Sequence, residues 1–582
     1  MSTRLLPRTL RYTLIVIALA FSLLLISGQA LTTAQAAGRQ ATAGNTYIVN
    51  SNADTVDADV GADPACADAS GHCSLRAAIM QANFTTGPDT ITLPSGVYLL
   101  TRAGNDDADQ IGDLDILDDL TVQGAGSSVT IIDGNGAVTG DRVLQILSTA
   151  KNVTLNGLTI RNGRKMNTFD EGGGLYWEGG GGHLRLHDVV VDDNAAYYGG
   201  GLYLNYSISG DIVDMDQISV HANIAATAAA GGLGVSFGDY ATFDLHNSRI
   251  YSNTAYEGGG LYFQDSPNIS VHSVSVETTE IYSNVATLSA GFENHSGNAA
   301  VPIVMIDSQL HDNHAGLYGG AIGNYGTLVI SDTTLSANSA LASAAYSTTT
   351  RGGGLYDYEG GQVTLVQSTL SSNSAALGGG IYSELFIHNN AALTLTNSTL
   401  SGNGASRFGG GIYAQGGRIK LLNSTLADNQ VVVPNNIPDG GIGGGMLITG
   451  TAVVVVQNAL LADNTDRFHG GVPVADDCHD LYATYHLTAL SANLIKATSY
   501  CNIDGNTLGV ISGASPKLGL LQNNGGSTWT QAPQPGSPAI DQGDDAACLP
   551  IDQRGFHRPI GLYCDIGAVE VGLSQYLPLI RR

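Results

Sequence analysis

Leu370-Ser371-Ser372-Asn373-Ser374-Ala375-Ala376-Leu377-Gly378-Gly379-Gly380-Ile381-Tyr382 is the stretch that decides how this chain folds. One unit later the order returns as Leu400-Ser401-Gly402-Asn403, followed by Phe408-Gly409-Gly410-Gly411-Ile412-Tyr413. An apolar residue, two variable ones and Asn also recur at Val191–Asn194, Val220–Asn223, Ile250–Asn253, Ile281–Asn284 and Leu310–Asn313. Leu335–Asn338, Leu426–Asn429 and Leu461–Asn464 complete the series, at a mean spacing of 30 residues. Between them run short alternating stretches such as Leu393-Thr394-Leu395-Thr396, with no helical period.

Each unit has room for three short strands, and strands of four or five residues cannot bury an apolar face alone. Stacking unit on unit at about 4.8 Å gives every strand parallel partners above and below. The expectation is an all-β, right-handed parallel β-helix with three strands per coil. Leu, Ile and Val fill its interior. Asn stacks at one corner, where left-handed backbone is tolerated and side-chain amides reach the next coil. Gly at the following corner allows positive φ and close approach. Tyr176, Tyr203, Tyr262, Tyr356, Tyr382 and Tyr413 should point opposite to the apolar residue before them, as an outer stripe. That stripe either stabilises the stack or meets sugar rings.

The N-terminus carries Arg4, Arg8 and Arg11, an apolar run from Tyr12 to Ile26, and Ala34-Gln35-Ala36, in the order of a secretory leader. Residues 1–36 are read as that leader; the run is short for a membrane anchor. Its removal takes three arginines with it and moves the net charge from −27 to −30. So acidic a surface excludes nucleic acid and anionic lipid as partners. Cys66, Cys73, Cys478, Cys501, Cys548 and Cys564 lie outside the central repeats, and an even count in an exported chain favours disulfides. Fifteen pairings exist; proximity suggests 66–73, 478–501 and 548–564. Ser74 opens a short helix with Leu75, Ala78, Ile79 and Ala82 on one face, suited to capping the first coil. The expected divisions are a cap with first coils at 45–165, repeats at 166–470, a second cap at 471–572 and a tail at 573–582. The tail is too short to span a membrane.

Cys73-Ser74-Leu75-Arg76-Ala77-Ala78-Ile79, with Gly112-Asp113-Leu114-Asp115-Ile116 downstream, resembles the CSLREA domain of bacterial surface proteins. Ala77 stands where that family has Glu, at the third helical position, so the capping box is incomplete. Gly319-Gly320-Ala321-Ile322 resembles the repeats of chlamydial polymorphic outer membrane proteins, and the middle as a whole looks like the pectin-lyase-like superfamily. Asn523-Asn524-Gly525-Gly526-Ser527-Thr528, Gly536-Ser537-Pro538-Ala539-Ile540-Asp541, Asp552-Gln553-Arg554-Gly555 and Cys564-Asp565-Ile566-Gly567-Ala568 are similar to the choice-of-anchor Q domain. These resemblances imply a secreted or cell-surface protein and no single activity.

Polygalacturonases carry NTD, DD, GHG and RIK in that order. Here Arg418-Ile419-Lys420 precedes Asn464-Thr465-Asp466 and GHG is missing. Polysaccharide lyases of this fold use Asp-bound calcium and a Lys or Arg base, yet Ile250 to Thr350 holds neither Lys nor Arg. Arg164, Lys165 and Arg185 leave a lyase site open nearer the N-terminus. Asp106, Asp107, Asp109, Asp113 and Asp115, with Asp118 and Asp119 beside them, are the candidate calcium ligands, hard oxygens at close spacing without EF-hand order. A solvated acidic loop is the alternative. The leading functional expectation is a monomeric, non-enzymatic surface protein in adhesion or binding of extracellular or cell-wall polysaccharide. No cofactor is required, and calcium is the one candidate ion. The second expectation is a polysaccharide lyase or glycoside hydrolase, which would need carboxylates and a Lys or Arg clustered on one face of adjacent coils.

Overall fold

The computed structural model describes residues 44–572 apart from 62–64, 207–209, 266–272, 297–301, 342–348, 359, 385–391, 435–439, 469 and 482–486. The leader at 1–36 and the tail at 573–582 therefore lie outside the described residues. Three sheets, of 29, 13 and 12 strands, run up the stack. One coil shows the plan: Gln362–Val366 and Thr369–Ser371 lie in the largest sheet, Ser374–Leu377 in the smallest and Ile381–Ser383 in the third. Each strand pairs in parallel with its equivalent one coil on, Val363 with Leu393, Leu370 with Leu400, Ile381 with Ile412. The chain is a parallel β-helix, with its largest sheet bent so that each coil has four strand segments on three sheets.

Left-handed residues make the corners. In this coil they are Gln367 (φ 50°), Ser372 (φ 56°) and Gly378 (φ 64°). The second corner corrects the expectation for Asn: the residue before it takes the left-handed conformation, and Asn373 itself turns inward, fully buried. Its Nδ2 donates to Asn403 Oδ1 and to the Leu335 carbonyl, both at 2.9 Å, and its backbone N–H donates to the same Asn403 oxygen at 3.1 Å. A buried amide must find such partners, since each group left unpaired costs about 1–3 kcal/mol. Ten Asn, from Asn194 to Asn464, repeat the pattern. The row stops at Asp477, whose Oδ1 accepts from Asn464 Nδ2 at 2.9 Å and Asn464 N at 3.1 Å. A carboxylate suits that end, because it accepts without bringing a further donor to satisfy.

The interior is aliphatic with Phe243, Phe263 and Phe292 packed edge to face. It departs from the expected pattern at one row of the 13-stranded sheet, where Asn294, Asn324 and Asp357 point inward. Asn294 Nδ2 donates to Asn324 Oδ1 at 2.7 Å, and Asn324 Nδ2 to Asp357 Oδ1 at 2.9 Å. Burial pushes the Asp357 carboxyl up to about 7, although the Asn324 bond opposes this.

At the N-terminal end α1 (Leu75–Phe84) is capped by Ser74, whose hydroxyl accepts from Ala77 N at 3.1 Å. The helix is covered on more than its apolar face. Arg76 is buried too, bound to Asp54 Oδ1 at 2.6 Å and to the carbonyls of Gly112 and Asp113 at 2.8 and 2.9 Å. Cys66 bonds Cys73, Cys478 bonds Cys501 and Cys548 bonds Cys564.

The region beyond 470 differs from the end cap that its fading repeat suggests. Stacking continues through Leu487–Ala489, Asn493–Ile495, Ile503–Gly505 and Val510–Ser512. The chain then returns along the flank of earlier coils. Ser527 Oγ reaches Asp332 Oδ1 at 3.2 Å, Thr369 Oγ1 donates to the Trp529 carbonyl at 2.6 Å, and Thr399 Oγ1 to Gln553 Oε1 at 2.6 Å. Ala568 N donates to Thr425 Oγ1 at 3.0 Å and Gly567 N to the Asn458 carbonyl at 2.8 Å. Five coils of the 29-stranded sheet are overlaid in this way.

Candidate functional site

The residues that flank each repeat's apolar residue point outward and change along the chain. Before it stand Ser219, Arg249, Glu280 and Gln309, then Thr369, Thr399, Thr425 and Leu460. After it stand His221, Tyr251, Tyr282 and His311, then Ser371, Ser401, Ala427 and Ala462. The later set is buried under the returning segment; the earlier set is open or half-buried. The bent sheet thus forms one groove, filled by the returning segment from Thr369 onward, met by Ser127 at Thr159 and Asp188, and open over the coils from Ser219 to Gln309. Its open part is a concavity lined by Asn247, Arg249, Tyr251, Glu280, Tyr282 and Gln309, among others.

Parallel register stacks the four rings directly. His221 lies 4.6 Å from Tyr251, Tyr251 4.8 Å from Tyr282 at an interplanar angle of 4°, and Tyr282 5.0 Å from His311. The faces between coils are occupied by neighbouring rings, so edges and hydroxyl groups are what a ligand meets. Glu280 links the rim: Arg249 Nε lies 3.3 Å from its Oε2 and His311 Nε2 3.2 Å from its Oε1. With side chains 68% and 37% exposed, the Arg249–Glu280 pair is solvent-screened and can open to a ligand. No sequence expectation pointed to this row, although alternation of apolar and aromatic residues at Val220-His221, Ile250-Tyr251, Ile281-Tyr282 and Leu310-His311 carried the signal.

The expected Tyr stripe exists on the 13-stranded sheet, where Tyr176 pairs with Tyr203, Tyr356 with Tyr382 and Tyr382 with Tyr413. It does not face solvent as a stripe: Tyr356 and Tyr382 are each only 1% exposed. Tyr382 and Tyr413 stack at 4.8 Å, Tyr356 OH bonds Glu384 Oε2 at 2.5 Å, and Tyr382 OH bonds Gln415. Arg351 lies over the Tyr382 ring and holds Glu384 at 2.8 Å. Those rings stabilise the stack. On the same sheet Glu293, buried, bonds His295 Nε2 at 2.9 Å through Oε1 and leaves Oε2 without a hydrogen-bond partner. Burial opposes charge on His295, yet the Glu293 bond and the charges of Glu293 and Glu257 raise its pKa; burial first, then Glu293, raises that of Glu257.

The candidate calcium ligands divide. Asp106 Oδ1 accepts from Ala108 N and Gln110 N, both at 3.1 Å, and closes a local turn. Asp107 is exposed. Asp109 accepts from Asp115 N at 2.8 Å and from Asn83 Nδ2 at 2.9 Å, tying the loop to α1. Asp113 and Asp115 are buried near Asp141, and the cations there belong to the protein: Lys165 Nζ meets Asp141 Oδ1 at 2.5 Å and Arg142 Nη1 lies 3.7 Å from Asp113 Oδ2. Burial, then the neighbouring charges of Asp109 and Asp107, pushes Asp115 up to about 8, and both its carboxyl oxygens are buried without a hydrogen-bond partner. Among the described residues, three ligand atoms come within 4.8 Å of one another at Asp466, Asp476 and His479. The basic residues divide as well. Lys165 is bound to Asp141 in the smallest sheet while Arg185 is on the largest; Arg418 and Lys420 lie on a different sheet from Asp466.

No family model and no curated protein matches the chain. Among solved structures it is similar to a pectate lyase, at 13% identity and a TM-score of 0.31 over 92% of this chain and 98% of that one. It is likewise similar to an alginate lyase in complex with a trisaccharide, at 12% identity and a TM-score of 0.29 over 85% of this chain and 92% of that one.

Proposed function

We propose that this chain is an extracellular glycan-binding protein that holds an uncharged polysaccharide along the open part of the groove without cleaving it. One observation carries the reading: the same groove already accepts protein backbone over its later coils, as turn-rich segments held through threonine hydroxyls and corner side chains. Over the coils from Ser219 to Gln309, where no segment of the described protein covers it, threonines give way to rings and longer hydrogen-bonding groups. Stacked ring edges and a rim of amide, carboxylate and guanidinium suit hydroxyl-rich polymers. The charge of −27 and the carboxylates at the groove disfavour uronate polymers, which a lyase of acidic polysaccharides would need. Three disulfides suit an oxidising compartment. The reading includes removal of the 1–36 leader, a CSLREA-like 45–165 region, repeats at 166–470, a choice-of-anchor Q-like 471–572 region, a monomeric state and no nucleic-acid partner. Among the described residues no helix is long and apolar enough to cross a membrane.

A second reading rests on Glu293 and Glu257, two carboxyls in unlike environments beside His295, the pairing that glycoside hydrolysis requires of an acid and a base. One experiment separates the two. Purified protein is incubated with neutral and acidic polysaccharides, with and without calcium, and both retention and released ends are measured. Retention of a neutral polymer that Tyr251→Ala with Tyr282→Ala abolishes, without released ends, supports binding alone. Reducing ends that disappear in Glu293→Gln support the hydrolase. Unsaturated ends from an acidic polymer would overturn both.

A further inference from the structure

We propose that Asp466, Asp476 and His479 form a binding site for one divalent cation of the zinc class, which fastens the last coils together. The topology builds the site from residues far apart in the coil plan. Asp466 sits on Thr465–Phe468, a strand of the 12-stranded sheet. The chain then turns back so that Val474–Ala475 pairs antiparallel to it, with Val474 opposite Asp466. Asp476 follows at once, and its N–H donates to the Asn464 carbonyl at 3.0 Å. His479 lies on the 13-stranded sheet opposite Leu447. A cation here joins two sheets across one corner.

One ligand atom from each residue comes within 4.8 Å of the other two. Asp476 is 1% exposed; its Oδ2 accepts from Gly443 N and pairs with His479 Nδ1, both at 2.9 Å, which holds the carboxyl and the ring in place. Tyr500 stacks on His479 at 4.9 Å and restricts the ring further. The Asp466 and Asp476 carboxyls thus lie side by side. Yet one oxygen of each, Asp466 Oδ1 and Asp476 Oδ1, is buried with no hydrogen-bond partner. Buried carboxylate oxygens without donors are costly, and one cation between them satisfies both together. Two carboxylates with an imidazole form a mixed oxygen and nitrogen set, which favours zinc or a similar borderline ion over calcium, a cation of all-oxygen sites. His479 is partly open to solvent, so the ion can enter.

The test uses the full-length protein, freed of metal with EDTA and then titrated with zinc chloride. Bound zinc is counted by mass spectrometry and the melting temperature is followed. One zinc per chain and a melting temperature that climbs with zinc are expected. Asp466→Asn keeps the hydrogen-bonding shape, so it should fold, and should weaken binding roughly tenfold or more; His479→Gln should do the same. His246→Gln, at a half-buried histidine beside Asp214 and Asp216, should leave binding unchanged. Cobalt in place of zinc should give a visible absorption band that Asp466→Asn removes. Zinc that stabilises Asp466→Asn as much as the native chain, or binding lost in His246→Gln instead, overturns the assignment. So does stabilisation by calcium and not by zinc.

Discussion

The coils around Tyr251 and those around Thr399 share an interior and differ outside. Ile250 and Leu400 are equally buried, and Asn253 and Asn403 make the same bonds within the same row. Arg249, however, lies in water where Thr399 lies against Gln553. The inward positions of a coil state only that it stacks. The outward positions state what lies beside it, a small hydroxyl where chain must approach closely and a long or aromatic side chain where none does.

Removing the returning segment should break the difference most strongly. A chain ending at Ser512 leaves Leu460 and Leu494 without Ala539 and Ile566, which now pack on them. Burying one Ile contributes about 2–3 kcal/mol, so amide exchange in Leu460–Ala462 and Asn493–Ile495 should quicken by roughly 100-fold. Exchange in Arg249–Tyr251 should not change. Equal acceleration in both places would mean that the segment supports the whole stack.

Substitution within the Asn row should be the next largest effect. Asn403→Leu strands the Leu370 carbonyl and the Asn373 amide, a loss of about 3 kcal/mol. Asn253→Leu should cost the same, as followed by urea unfolding with a local probe in each coil. A greater loss at Asn253 would show that the cover shares the strain of a broken row.

Exchanging outward residues should have unequal results. Thr399→Arg removes a bond to Gln553 and forces the segment away, at a cost of about 2 kcal/mol. The reverse change, Arg249→Thr, loses only an exposed ion pair and should shift stability by less than about 0.5 kcal/mol. Comparable losses in calorimetry would contradict the assignment of open and covered coils.

Asp357 offers the smallest test, because it lies inside and should be indifferent to cover. Its folded carboxyl titrates at about 7, above the ordinary 3.8, so the folded chain holds the proton more tightly than the unfolded one. Stability from this group is therefore full below about pH 4, falls as pH rises toward 7, and is level beyond. Asp357→Asn should flatten that part of the melting profile and raise the melting temperature at pH 8. An unchanged slope would assign the fall to Asp109, Asp115 and Asp565, whose carboxyls burial also raises.

The stacking, the coil length and the Asn row were legible because they repeat, and a repeat reports its own geometry many times over. Helix α1 was legible from Ser74 and the spacing of Leu75, Ala78, Ile79 and Ala82. What stayed hidden depends on contacts between residues distant in sequence. Nothing near Thr399 announces Gln553, 154 positions later. The Tyr stripe was placed on the correct side of its strand, but alternation does not say that Arg351, Glu384 and Gln415 fill the space around it. The acidic run at 106–115 drew attention through its density, whereas Asp466 and Asp476 come together only because the chain reverses at Val474–Ala475.

The returning segment also changes how the protein meets tension. A bare stack pulled from its last coil would open like a zip, one row of bonds at a time. Here the last described residues, near Val571, lie beside bonds that reach back to coils at Thr425 and Asn458. A pull on that end loads several coils at once and partly in shear, so many bonds must yield together. For a chain tethered by that end in moving fluid, the fold would hold at forces that strip a simple stack.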